Sequence, residues 1–261
     1  MNVLQSVMHL RPSGMSAQEW TLRLELAACY RLFDWIGWAE MIFNHITVRV
    51  PGSPDASPHY LINPYGLHYT EVTARNLVKI DTEGNKVDGS HHEVNPAGFV
   101  IHSAIHRVRH DAQCIMHTHT TAGMAVACKA EGLRHDNFYS AMMYGRVAYH
   151  DFEGITTDLL EQQRLVASLG DRDVLILRNH GLLATGLHVP GAFRTMWNLQ
   201  RACEVQVASD SMRGDNLPVP RSVLERIPEQ RKPLLATQQR AGELMFDAIL
   251  RRAGISYANL V

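Results

Sequence analysis

The chain has 261 residues, 46% hydrophobic and 20% charged, enough to bury a substantial core within one large α/β domain. A formal net charge of -1 and an isoelectric point near 6.9, with no run of basic residues, exclude an electrostatic case for nucleic acid or an acidic membrane and favour a small-molecule ligand. Cys29, Cys114, Cys128 and Cys203 stand singly, without CxxC spacing, so neither a zinc ribbon nor a disulfide framework is indicated; no leader or membrane-spanning apolar run is legible, and a cytoplasmic location is expected.

In chain order, residues 1–15 read as a loose arm, and 16–261 as a single domain with a helical C-terminal tail. Ser16, with Glu19 three residues later, caps an amphipathic helix expected to reach Trp38. Residues 42–50 read as a strand, 51–58 as a Pro/Ser/Gly-rich turn, and Tyr60-Leu61-Ile62 as a second strand. A short helix is expected near Thr73–Leu77, then a hairpin around Glu83-Gly84-Asn85. Consecutive β segments of this kind imply antiparallel pairing rather than a βαβ start. Asn95 and Pro96 open a helix. Thr121 to Glu131 reads as a small-residue helix, the stretch from Phe138-Tyr139 to Tyr149-His150 as strand and pocket wall, and Leu159 to Leu169 as a helix. Pro190 opens a long helix to about Ser211, and a last helix spans Pro233 to Arg252, with an apolar face suited to docking on a subunit or domain surface.

The chemistry concentrates in Cys114-Ile115-Met116-His117-Thr118-His119-Thr120. Side chains alternate faces along a strand, so His117 and His119 point the same way and can offer two neutral nitrogens to one divalent metal. About sixty residues on, the apolar run Val174–Leu177 breaks at Asn179-His180-Gly181, presenting His180 on a tight bend as the third ligand. Three histidines and an open position suit zinc, iron, cobalt or manganese. His102 and His106 share a helix face, but an HExxH motif would need glutamate where Ser103 stands, so they read as structural or supporting residues.

With these elements placed, the chain resembles the class II aldolase/adducin family over about residues 16–251. The resemblance rests on Asn63-Pro64-Tyr65-Gly66, Asn95-Pro96-Ala97-Gly98-Phe99, Met116–Thr120, Gly145-Arg146-Val147-Ala148-Tyr149-His150 and Leu177–Gly181. Several of these look closest to the adducin head domain. It implies a three-layer α/β/α sandwich around a largely antiparallel sheet and a homotetramer with sites at subunit boundaries. It also implies a divalent metal on His117, His119 and His180, zinc first, with Fe2+, Mn2+ or Co2+ as alternatives.

The departures bear on the reaction. In sugar-phosphate aldolases such as fuculose-phosphate aldolase, a glutamate near the metal handles the proton, and ungapped reading from His102 puts Gly98 at that position. The paired serines that hold phosphate fall at Pro96 and Ala97, an asparagine at His45 and a threonine at Tyr65. A pocket of this kind has lost its phosphate donors. His45, Tyr139 and Tyr65 become the candidates for proton transfer, and Asn63, Tyr65, Gly66 and Gly98 the candidate substrate-binding positions. Three functions follow: a metal-dependent lyase on a non-phosphorylated carbonyl or hydroxy/oxo acid, placed first; an iron-dependent oxygenase or decarboxylase of an aromatic oxo acid; or a binding module like adducin's head.

Overall fold

Ser16 begins the first helix as its sequence suggests: its side chain accepts the Glu19 N–H at 3.0 Å, and α1 runs Ala17–Trp35. It stops short of Trp38 because Gly37 takes φ 76° and the Trp38 N–H returns to the Phe33 carbonyl at 2.8 Å, a glycine-dependent helix stop. The computed structural model describes residues 5–51, 58–154 and 159–261, so most of the turn expected at 51–58 lies outside the described residues. Gln5–Leu10, within the stretch expected as a loose arm, forms a 3-10 helix whose Val7 is buried and accepts the Trp20 indole N–H.

Seven strands form one sheet: β1 Ile46–Val50, β2 His59–Ile62, β3 Val78–Ile80, β4 Cys114–Thr118, β5 Val147–His150, β6 Val174–Leu177 and β7 Gly181–Gly186. Their order is β3-β2-β1-β4-β7-β6-β5, antiparallel throughout except for the parallel pair β5–β6. Helices cover both faces, as the expected α/β/α layering requires. On one side α2 (Pro96–Val108) and α5 (Leu159–Leu169) bring Ile101, Ile105, Leu165 and Leu169 against Ile115, Leu175, Leu177 and Leu183. On the other, α1 packs with two later helices, α6 (Val189–Asp210) and α8 (Ile227–Ala253), against Cys114, Met116, Val174, Ile176, Leu182 and Ala184. Alternation along β4, β6 and β7 thus feeds two cores at once.

The remaining helices are α3 (Thr121–Ala127), α4 (Phe138–Met142), α6 (Val189–Asp210), α7 (Arg221–Leu224) and α8 (Ile227–Ala253). Several boundaries differ from expectation for local reasons. β1 starts at Ile46, not Ile42, because the Phe43 N–H closes a turn onto the Glu40 carbonyl at 2.9 Å. Thr73 and Asn76 cap each other's backbone N–H groups at 2.8 and 3.2 Å, which leaves a turn where a helix was expected. The expected hairpin is reduced to one bridge, Ile80 with Lys86. Residues 138–150 are not one strand: Asn137 and Ser140 form a capping box that starts α4, and only Val147–His150 is β. α3 ends at Ala127 rather than Glu131, its carbonyls diverted to the β6–β7 turn: Asn179 N–H donates to Ala127 and Arg178 to Lys129. α8 begins at Ile227 with Pro228 in its first turn, where the missing N–H has no helical partner to lose, and continues through Pro233. No helix among the described residues is long and apolar enough to cross a membrane.

Candidate metal centre

β4 carries His117 near its end, fully inside the sheet and 2% exposed, and the chain leaves the strand at His119. Thr120 then caps α3 by accepting the Gly123 N–H at 3.3 Å, which fixes the direction in which His119 departs. His180 arrives from the neighbouring β6–β7 turn, closed by the His180 N–H on the Leu177 carbonyl at 3.1 Å. The turn needs a left-handed residue, supplied by Asn179 at φ 56°. Gly181 follows because a Cβ there would strike the Thr118 carbonyl and the rings of His119 and His117. Every residue of Asn179-His180-Gly181 therefore has a geometric reason.

The three rings form a near-equilateral triangle, with centroids 4.6, 4.8 and 4.9 Å apart. One nitrogen from each lies within 4.8 Å of the other two. His117 Nδ1 is 2.9 Å from the Leu182 carbonyl, an acceptor only, so Nδ1 carries the proton and Nε2 presents its lone pair inward. That Nε2 lies 2.7 Å from Nε2 of His119, a convergence that calls for a shared proton or a cation. Burial lowers the pKa of all three: His180 to about 4, reinforced by His119; His119 despite the opposing pull of Glu40; and His117 well below the usual range. Neutral, convergent imidazoles are the donor set a zinc-type ion requires, and these residues fit one.

Behind the triad, α2 supplies an inner wall. The Thr47 hydroxyl lies 2.8 Å from both His102 Nδ1 and His106 Nε2, and His106 Nδ1 donates to the Ala112 carbonyl at 2.9 Å. The proton order follows: Thr47 donates to His106 and accepts from His102 Nδ1–H. The pair is thus spent on structure, as its missing glutamate suggested. His45 lies between this wall and the triad, its ring 4.1 Å from that of His102 and 5.6 Å from that of His117. Burial, with His119 and His180 nearby, pushes its pKa down to about 3 against the opposing pull of the Phe43 and Gly98 backbone. A Cβ on Gly98 would lie 2.8 Å from the same ring.

A cavity of about 860 Å³ opens from the triad. Its lining brings together His45, Tyr65, Gly98, His117, His119 and His180 of the expected positions. Asn63 is elsewhere, its Oδ1 2.9 Å from the Tyr30 hydroxyl at the α1–β1–β2 junction. Gly66 shapes the turn after Asn63 at φ 93° without lining the cavity. Tyr139 sits on α4 beneath Arg201, outside this cavity. Glu40, Phe43, Met124 and Phe152 line it unannounced by the sequence. The signal of the two phenylalanines was weak, because Phe43 before β1 and Phe152 after β5 lie in loops, where neither helical nor strand periodicity marks a face.

Comparison with known proteins places this geometry. A family model described as Class II Aldolase and Adducin N-terminal domain matches residues 24–207. The crystal structure of an aldolase II superfamily protein from Pseudomonas syringae is 43% identical and superposes with a TM-score of 0.82, covering 93% of this chain and 97% of that one. An L-fuculose 1-phosphate aldolase from Glaciozyma antarctica PI12 is 26% identical at a TM-score of 0.73, covering 97% and 98%. Alpha-adducin of Rattus norvegicus is 47% identical over 201 residues, 75% of this chain but 27% of the adducin. A match over most of the chain, a shared sheet with helices on both faces, and three converging histidines lead to one conclusion: the chain belongs to the class II aldolase and adducin family.

Proposed function

We propose that the chain is a metal-dependent lyase that makes or breaks a carbon–carbon bond beside a carbonyl group, on a substrate without phosphate. The observation that carries this reading is the set of three neutral imidazoles with His117 locked, through Leu182, in the tautomer that presents Nε2 inward. His117, His119 and His180 would hold a divalent ion, zinc first, which when bound supplies Lewis acidity to a carbonyl oxygen.

The chain's own residues supply the rest. His45 is a neutral imidazole on the cavity wall against Gly98, the candidate to move a proton where that glycine removes the family's carboxylate. Tyr65, 39% exposed at the rim, offers a hydroxyl toward substrate. The reading includes assembly as a homotetramer, the route by which Tyr139 would reach a neighbouring copy's cavity. Glu40 is the one carboxylate among the described lining residues.

The deciding experiment pairs metal content by elemental analysis, on protein purified without chelator, with an anaerobic assay for carbonyl products from non-phosphorylated aldols and an oxygen-uptake assay after ferrous reconstitution. About one zinc or manganese per chain with anaerobic product formation supports the lyase. Iron with oxygen uptake replaces it by the oxygenase, and a chain that binds no metal and turns over nothing replaces it by a binding module.

A further inference from the structure

We propose that the end of the substrate away from the reacting carbonyl is an uncharged aromatic or branched apolar group, seated between Phe43, Met124 and Phe152; this rests on the lyase reading above. Three independent observations converge. First, among the described residues lining the cavity there is no lysine or arginine, and the one charged side chain besides the histidines is Glu40, a carboxylate. A substrate phosphate or second carboxylate held away from the metal would therefore lose its water, face a like charge and find no cation among these residues in return.

Second, the space beside α2 is closed to an anion. The His45 ring fills it so tightly that even a Cβ on Gly98 would collide, and positions 96 and 97 are proline and alanine, without hydroxyl donors. Third, much of the remaining lining is apolar and open. Phe43 is 50% exposed, Phe152 55% and Met124 36%, and the Phe152 ring centroid lies 6.4 Å from that of His180. Large apolar side chains grouped around a concave site and exposed to this degree are the usual mark of an apolar ligand.

The test measures binding, by calorimetry on the zinc-loaded protein, of three hydroxamates that share one metal-chelating head: acetohydroxamate, phenylacetohydroxamate and phosphoglycolohydroxamate. The phenyl probe is expected to bind about tenfold or more tighter than acetohydroxamate, the range that burying one aromatic group provides, and the phosphorylated probe no tighter than acetohydroxamate. In Phe152→Ala and Phe43→Ala, both about half exposed and outside the buried core clusters, the phenyl-to-methyl affinity ratio should fall toward one. Glu40→Lys should raise the affinity of the phosphorylated probe relative to acetohydroxamate. Equal binding of the phenyl and methyl probes, or tightest binding of the phosphorylated one, overturns the apolar tail while leaving the metal-dependent lyase standing. If no hydroxamate binds in a zinc-dependent manner, the metal reading fails and takes this inference with it.

Discussion

A single missing methyl group lets His45 sit against the triad. Gly98 lies in the first turn of α2, where alanine would ordinarily gain about 0.5–1 kcal/mol of helix propensity. Here its Cβ would lie 2.8 Å from a ring that is itself 4% exposed, and overpacking of that kind costs about 1–3 kcal/mol. The clash should win, so Gly98→Ala is expected to destabilise the wild-type chain yet stabilise a His45→Ala background. Urea midpoints of the four proteins of the cycle check this sign reversal, and parallel losses in both backgrounds would mean that the ring and the glycine are not coupled. A second expectation concerns His180: His180→Ala should reduce zinc from about one per chain to near none by elemental analysis, with the chelated proteins melting alike, because the side chain is a turn residue outside both cores. At this scale the sequence was legible where periodicity acts. His117 and His119 share a face by strand alternation, and His180 follows an apolar strand. The contact of His45 with Gly98 joins residues 53 positions apart through a loop, and nothing local in either segment announces it.

Helix boundaries divide the same way. Ser16 is a cap whose own side chain accepts the N–H that defines the helix start, and such short-range chemistry can be read without a structure; Asn137 caps in the same way, where a strand was expected, and so does His188, where Pro190 marked the start. The premature end of α3 depends on Asn179 and Arg178 of a distant turn taking its carbonyls, which no window around residue 128 contains. Packing between helices also creates a titration that α1 alone does not foretell. Burial, with Glu243 and Asp247 of α8 adding negative charge, pushes the Glu25 carboxyl up to about 7. Between about pH 4.5 and 7 the folded chain then holds a proton that the unfolded chain has released, so stability falls as pH rises through that window and stays lower above it. The full effect is at most about 3 kcal/mol. Glu25→Gln should flatten the dependence, matching or trailing the wild type at pH 5 and exceeding it at pH 8. Thermal midpoints at the two pH values decide the matter, and a difference that does not change with pH would show that Glu25 is solvated or paired in solution.

At the scale of the molecule, the layer order came from the family resemblance, and the structure supplies its physical reason in β4, β6 and β7, which are apolar on both faces; strand order was not legible, since β4 pairs with β1 and β7 rather than with its sequence neighbours β3 and β5. That order is what brings His117 and His119 beside the turn bearing His180. β4 and β7 pair through five residues, from Cys114 with Gly186 to Thr118 with Leu182, with His117 inside that ladder and His119 and His180 just beyond its end. An ion held there would clip the end of the central strand to the turn entering its neighbour, and it would bind the folded chain alone because the unfolded one cannot assemble the three rings. Zinc at about a hundred times its dissociation constant should then stabilise the fold by about 2.7 kcal/mol. For a chain of this size each kcal/mol moves Tm by about 2–4 °C, so zinc should raise Tm by about 5–10 °C, chelator should reverse the shift, and His180→Ala should show neither. Differential scanning calorimetry of both proteins with zinc or chelator measures all four states. A zinc-induced rise that survives in His180→Ala would place the ion elsewhere, because two rings of β4 without the turn cannot tie the strands together.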